Sequence, residues 1–72
     1  MEKLLEMSYG TFYRRTSDGQ TIFRDENGKF ERDLDKTDSW FLQAVEDIAA
    51  GYPFVWKSDL INMQDFIVNG NI

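Results

Sequence analysis

The sequence predicts a small α+β fold: a three-stranded antiparallel β-meander followed by one or two α-helices packed on one face. Three observations predict it. Residues 8–34 are rich in strand-forming side chains that alternate with a period of two. Two turn signals, Asp18-Gly19 and Asn27-Gly28, divide that stretch. Residues 37–50 then change to the 3.6-residue period of an amphipathic helix.

The composition predicts a single domain over residues 1–72, beginning at a start Met as a complete small reading frame does. There is no Cys and no His, which excludes disulfides and every zinc site built on thiolate or imidazole. A core of this size rarely supplies more than about 3–5 kcal/mol of net stability. The chain has six Phe, three Tyr and two Trp to build that core, and a homodimer would add to its stability.

The net charge of −5 is unevenly distributed along the chain. Residues 1–36 carry seven basic and eight acidic side chains, whereas residues 37–72 carry one basic and five acidic ones. A generic nucleic-acid binder needs a basic field, which this chain lacks overall. No stretch approaches the roughly 20 apolar residues of a membrane span. With no Cys, the expected location is the cytoplasm, with no membrane partner.

The two turn signals predict the strand register, because a type I′ turn has positive φ at both central residues and fixes the pairs beside it. The expected opposite pairs are Arg14 with Phe23 and Phe12 with Asp25 in the first hairpin, and Asp25 with Phe30 and Phe23 with Arg32 in the second. The expected core face holds Phe12, Phe23, Phe30 and Leu34. The largely wet face holds Tyr13, Arg15, Ile22, Arg24, Glu31 and Asp33.

The first helix is expected over about Ser39–Ala50, within residues 37–50, and it ends at Gly51. Thr37 or Asp38 is its expected N-cap. Its apolar arc comprises Trp40, Phe41, Ala44, Val45 and Ile48, opposite Gln43, Glu46, Asp47 and Ala50. Residues 1–7 are compatible with a short helix or a lead-in strand.

The segment 52–57 is either a connector or a further strand, and Pro53 argues against a central position in a sheet. A second helix is expected over 58–69, with Ser58 as its N-cap and Gly70 at its end. Its apolar residues cover more than half of the helix circumference. That pattern indicates a helix buried on two sides, or a strand over Phe66–Ile72, and it makes a homodimer through this helix plausible.

No pattern in the sequence predicts catalysis, a cofactor or a metal. The usual nucleophile and base pairs need His or Cys, and Asp33, Asp35 and Asp38 lie in a short polar connector. The two turns also fail the EF-hand spacing: Phe23 and Leu34 occupy ligand positions in one, and Arg14 does so in the other. Two helices separated by seven residues, the second without a basic side chain, do not fit a helix-turn-helix reader.

Two groups of residues are candidates for partner binding. Tyr13, Arg15 and Arg24 share the wet face of the predicted sheet, where Tyr9 and Thr11 could join them. Aromatic and arginine side chains on a sheet can stack on single-stranded nucleic acid or anchor a protein, although arginines paired with Glu31 and Asp33 would make an ordinary wet face. Tyr52 and Trp56 form the second group, because three aromatic rings in residues 52–57 are hard to bury in so small a domain.

The sequence therefore predicts a non-enzymatic protein-interaction module, a regulator or inhibitor that binds another protein. Tiny acidic chains of this kind are common among phage and mobile-element accessory proteins, and that base rate favours this class. The alternative is a nucleic-acid-associated accessory protein that uses Tyr13, Arg15 and Arg24. An enzyme or enzyme subunit would need a bound metal or cofactor.

Overall fold

The computed structural model describes residues 1–35 and 37–70, which form an α+β fold with a five-stranded antiparallel sheet. The elements are β1 (Glu2–Met7), β2 (Gly10–Arg14), β3 (Thr21–Asp25), β4 (Glu31–Leu34), α1 (Ser39–Ala49), β5 (Phe54–Trp56) and α2 (Met63–Gly70). The strand order is β4-β3-β2-β1-β5. The predicted three-stranded meander is thus only the β2–β4 part of a larger sheet.

The first strand, β1, extends the meander at its N-terminal side and resolves the ambiguity of residues 1–7. It pairs with β2 through a register shift between Lys3 and Leu5. Such a bulge places one extra residue in the strand, so Leu4 and Leu5 are both buried despite being neighbours. The bulge also explains why this segment does not show the clean alternation of a strand.

The segment 52–57 contains the strand β5, which pairs antiparallel with β1 and not with the predicted meander. Trp56 lies opposite Leu5, and Phe54 lies opposite Met7. Pro53 immediately precedes the first residue of β5, at the end of the strand pairing, where proline is tolerated. The strand β5 lies at the edge of the sheet.

The predicted register is correct for the second hairpin and wrong by two residues for the first. Phe23 lies opposite Arg32, and the Asp25 N–H donates to the Phe30 carbonyl at 3.0 Å. In the first hairpin, however, Phe12 lies opposite Phe23 and Arg14 opposite Thr21. The Arg15 N–H bonds to the Gln20 carbonyl at 2.8 Å, so the loop covers residues 16–19.

Both turns differ from the predicted type I′ geometry. Gly19 and Gly28 have φ of 75° and 71°, and no non-glycine residue among those described has positive φ. A type I′ turn needs positive φ at two successive residues, so the expected tight turn at Asp18-Gly19 is replaced by a longer loop. Because the resulting shift is two residues, the paired side chains of β2 and β3 keep their predicted faces.

The core lies between the sheet and the two helices. Phe12, Phe23 and Leu34 are buried on the sheet side, as predicted. Phe66 of α2 stacks on Phe41 of α1 with ring centroids 4.6 Å apart and meets Phe12 edge-on at 6.2 Å. Phe30, predicted for the same face, remains 41% exposed at the margin of the sheet.

The helix α1 begins where an N-cap residue was expected. The Asp38 carboxylate accepts a hydrogen bond from the Trp40 N–H at 3.0 Å, which identifies Asp38 as the N-cap. Arg32 holds the same carboxylate at 3.0 Å. The alternative cap, Thr37, instead donates its N–H and hydroxyl to Asp35 at 2.8 and 2.6 Å. The helix ends just before Gly51, whose φ is 86°.

The second helix begins later than predicted, because Ser58 caps a bend and not a helix. The Ser58 hydroxyl accepts from the N–H groups of Leu60 and Ile61 at 3.2 and 3.0 Å and donates to the Glu2 carboxylate. Asn62 takes the capping role, since its side-chain oxygen accepts from the Asp65 N–H at 2.8 Å.

The late start of α2 removes residues 58–62 from the predicted wide apolar arc. Leu60 lies outside the helix and is highly exposed. The alternative of a strand over Phe66–Ile72 is wrong for residues 66–70, which are helical, and residues 71–72 lie outside the described range. In the part of the chain that the structure describes, neither helix is long and apolar enough to cross a membrane.

Candidate partner-binding surfaces

The helix-free face of the sheet carries Tyr13 and Arg24, as the sequence predicts. The Arg24 guanidinium lies 5.1 Å from the centre of the Tyr13 ring, within the range of a cation–π contact. It also donates through Nε and Nη2 to one carboxylate oxygen of Glu31, at 3.0 and 2.6 Å. That interaction raises the pKa of Arg24. The arginine is therefore already engaged by an aromatic ring and a carboxylate of its own chain.

Arg15, the third predicted residue of this face, is also paired with carboxylates. Its Nε and Nη2 atoms donate to the two oxygens of Asp18 at 3.0 and 2.7 Å, which is a two-point contact. Asp33 lies 3.6 Å away on its other side. The Arg15 hydrogen bonds, together with the Gln20 N–H, lower the pKa of Asp18 to about 2. The carboxylates of this face thus balance both of its candidate arginines.

Tyr9 and Thr11 were the two further residues suggested for this face. The structure places only Thr11 there, opposite Arg24. Tyr9 precedes β2 and packs against the core, with its ring 6.2 Å from that of Phe23. Its hydroxyl donates to the Asp47 carboxylate of α1 at 2.9 Å. Burial, reinforced by this acceptor, raises the pKa of Tyr9 well above its usual value. The role suggested for Tyr9 on the wet face is therefore wrong.

Tyr52 and Trp56 form the second predicted group. Tyr52 precedes the edge strand β5, and Trp56 is the last residue of that strand. The Trp56 ring is half-buried and packs edge-on against Phe66 at 5.5 Å. Tyr52 is exposed, and its N–H donates to the Asp47 carbonyl at 2.9 Å. Because β1 and β2 separate β5 from β3, the structure does not bring this pair together with Arg24.

A third surface, which the sequence does not predict, is the aromatic patch formed by Phe30 and Trp40. Their spacing predicts a core position for both rings, but Phe30 and Trp40 remain 41% and 38% exposed. Trp40 stacks on the buried Phe23 at 5.0 Å and lies 5.6 Å from Phe30. A shallow depression of about 260 Å³ adjoins it, lined by Trp40 with Ser39 and Gln43.

The sequence contains one signal for the aromatic patch. Phe30 comes just before the first residue of β4, and Trp40 is in the first turn of α1. Here both of these positions lie at the rim of the core, although an end position alone does not decide this, because Leu34 ends β4 and is buried. Periodicity alone treats both positions as ordinary members of an apolar face.

The acidic residues of the 33–38 connector have structural roles. Asp38 caps α1, and Asp33 lies beside Arg15. The Thr37 hydroxyl and N–H, bonded to Asp35, lower the pKa of that carboxyl group. Within residues 1–35 and 37–70, no three acidic side chains are grouped as a metal site would require.

Comparison with known proteins gives no relative: no family model, no curated protein and no solved structure matches the chain.

Proposed function

We propose that this chain is a non-enzymatic protein-interaction module, a regulator or inhibitor that acts by occupying the surface of a partner protein. The observation that carries the proposal is the aromatic patch, in which Trp40 and Phe30 are exposed and yet packed against each other and against the buried Phe23. Trp is among the residues most enriched at the energetic centres of protein interfaces. The depression beside Ser39 and Gln43 offers room for one side chain of the partner.

The packing of the aromatic patch against the core supports a binding role. Trp40 rests flat on Phe23, whose ring is fully buried in the core. An anchor that is already ordered loses little conformational entropy on binding, so more of its contact energy contributes to affinity. A mobile ring of equal area would bind more weakly.

The alternative, a nucleic-acid-associated protein, would use Tyr13, Arg15 and Arg24. Affinity for nucleic acid depends on cations that replace condensed counterions. Arg15 and Arg24 both have carboxylate partners in the chain, and the net charge is −5. A nucleic acid would have to displace those carboxylates, which favours a protein partner.

The lack of Cys supports a cytoplasmic location.

The experiment that tests the proposal is affinity capture from host lysate with nuclease treatment, comparing the wild type with Phe30→Lys and Ser39→Glu. Phe30→Lys alters the aromatic patch itself. Ser39→Glu places a charge in the depression beside Trp40, where it suits the positive N-terminal end of α1. Leu42→Lys is the matched control, because Leu42 is also 41% exposed and lies about 200° around the helix from Trp40. We expect a nuclease-resistant partner whose recovery falls at least tenfold in both patch variants and stays unchanged in the control.

Circular dichroism and thermal unfolding establish that each variant remains folded before its binding is compared. Equal losses in all three variants would contradict the aromatic patch as the contact surface. Recovery of nucleic acid alone, weakened by Arg15→Ala and Arg24→Ala and by added salt, would support the alternative function and contradict the first.

A further inference from the structure

The two edges of the sheet differ in a way that points to a second interaction surface. The edge strand β4 consists of Glu31, Arg32 and Asp33 followed by Leu34. Charged residues on an edge strand are a common way to prevent pairing with another chain. The opposite edge strand, β5, has the sequence Phe-Val-Trp, and residues 51–56 contain no charge.

The backbone of β5 presents hydrogen-bonding groups away from the sheet. The Lys57 N–H donates to the Leu4 carbonyl at 2.9 Å, and Val55 lies opposite Glu6. Because antiparallel strands alternate the direction of their backbone groups, Val55 bonds toward β1. The N–H and C=O groups of Phe54 and Trp56 consequently point outward.

Pro53 does not interrupt this outward row. By the same alternation, the backbone nitrogen of Pro53 points toward β1, as the N–H groups of Val55 and Lys57 do. The N–H that proline lacks is therefore absent on the inner side of the strand. An edge proline protects against pairing only when it removes an outward donor. The edge of β5 is therefore open at both Phe54 and Trp56.

We propose that β5 pairs antiparallel with β5 of a second copy of this chain, with a two-fold axis at Val55. The outward groups are symmetric about Val55, so the rotation places Phe54 of each copy opposite Trp56 of the other. Each of these pairs exchanges two hydrogen bonds. Val55, 51% exposed on the helix-free face, then meets its own counterpart in the second copy.

The chemistry of the edge favours a second copy as its occupant. The pairing brings no charged side chain opposite another at its centre, and it places aromatic rings in cross-strand pairs. A strand of three residues buries far less than the 1,200–2,000 Å² of a standard interface. We therefore expect a weak dimer, with a Kd on the order of micromolar to millimolar.

The dependence of binding on salt distinguishes a second copy of this chain from a basic partner strand. Each copy carries a net charge of −5, so the two repel each other at long range. Screening reduces that repulsion, and the dimer is expected to strengthen as ionic strength rises. A basic partner strand on the same edge would dissociate under those conditions.

The first experiment is disulfide trapping with Val55→Cys, which introduces a unique thiol because the chain has no Cys. Residues that face each other in a non-hydrogen-bonded antiparallel pair have Cα atoms about 4.5 Å apart, within the range that a disulfide spans. The control is Leu60→Cys, since Leu60 is 79% exposed and lies outside β5. Under mild oxidation we expect the Val55→Cys protein to form covalent dimer at least tenfold faster than the control.

The second experiment is sedimentation equilibrium of the wild type and of Val55→Lys up to about 1 mM, at low and high salt. The lysine places two like charges opposite each other at the axis, and we expect the dimer Kd to rise by on the order of tenfold or more. The exposed position keeps the fold intact, which the circular dichroism spectrum checks. A monomeric wild type throughout this range, or equal trapping at positions 55 and 60, would overturn the proposal. Loss of partner capture in the aromatic-patch variants is a separate outcome, because neither variant touches β5.

Discussion

The two faces of the sheet bury apolar side chains in different surroundings. On the helix-covered face, Phe12 and Phe23 are buried beneath aromatic rings of α1 and α2. On the opposite face, Ile22 is also buried, with 3% of its surface exposed, but it lies outside that core. By register, the neighbours of Ile22 are Tyr13 and Asp33. The first face is stabilised by removing apolar area from water. On the second, side chains held by ion pairs and a cation–π contact flank the buried Ile22.

The difference concerns how each face responds to change. Tightly packed aromatic rings do not accommodate additional volume, so alterations there are costly and insensitive to salt. Exposed ion pairs each contribute little and are weakened by salt. We therefore expect the largest effect of a substitution on the helix-covered face and the smallest on the helix-free face.

The largest effect is expected for Gly10→Ala. A Cβ atom at Gly10 would lie 2.4 Å from the Phe23 ring and 2.6 Å from the Arg24 carbonyl oxygen, so both the ring and the backbone must shift. Within a strand, alanine is normally more stabilising than glycine. At Gly10, however, the overpacking should lower the free energy of unfolding by about 1–3 kcal/mol or more. Urea denaturation of the two proteins measures the difference.

A double-mutant cycle shows how much of the cost of Gly10→Ala comes from the Phe23 ring. Phe23→Leu shortens the side chain above Gly10, so Gly10→Ala should cost less in that background than in the wild type. The Arg24 carbonyl remains close, and for that reason the rescue should be partial. An unchanged cost in both backgrounds would show that ring packing does not limit this face.

The second prediction concerns Tyr9, which joins β2 to α1 through Asp47. Folding raises its pKa, so the unfolded chain releases the proton first as the pH rises above about 10, the ordinary tyrosine pKa. Stability that is fully present below pH 10 is thus lost progressively above it. Tyr9→Phe should cost about 1 kcal/mol at neutral pH through the lost hydrogen bond.

The measurement is the free energy of unfolding of the wild type and Tyr9→Phe between pH 8 and 11. The gap between the two proteins should narrow as the pH rises, because only the wild type loses the contribution of Tyr9. A gap that stays constant would contradict the raised pKa of the hydroxyl. Far-UV circular dichroism at each pH provides the folding control.

The sequence predicted the fold class, the β2–β4 meander and α1, because these segments carry strong local signals. The side-chain alternation of β2 to β4 and the Asp38 cap are readable without tertiary information. The strands β1 and β5 were left open because their pairing is with each other and with β2, and the bulge at Leu4 hides the period of β1. For α2, Ser58 and Asn62 are both suitable N-cap residues by type, and the sequence does not show that Ser58 contacts Glu2 of β1 while Asn62 begins the helix.

The candidate surfaces were less predictable than the fold. Composition identified which side chains could bind a partner, but not which of them the chain itself occupies: Arg15 pairs with Asp18, and Tyr9 with Asp47, 38 residues away. Trp40 and Phe30 were assigned to the core because their spacing fits it. Their exposure depends on where the end of a strand and the start of a helix meet at the rim, which is a property of the tertiary structure.

The smallest effect is expected for Arg24→Gln, which tests the helix-free face. The change removes the pairing with Glu31 and the charge over Tyr13, while its shorter stem still covers part of the sheet. Because the pair is exposed, we expect Tm to fall by only about 1–3 °C at low ionic strength. Lys29→Gln is the matched control, since it removes an equal charge from the exposed loop that precedes β4. In about 1 M NaCl the difference between the two variants should disappear. A loss of Tm that persists at high salt would instead mean that Arg24 acts by packing over Ile22, and the two faces would then be stabilised in the same way.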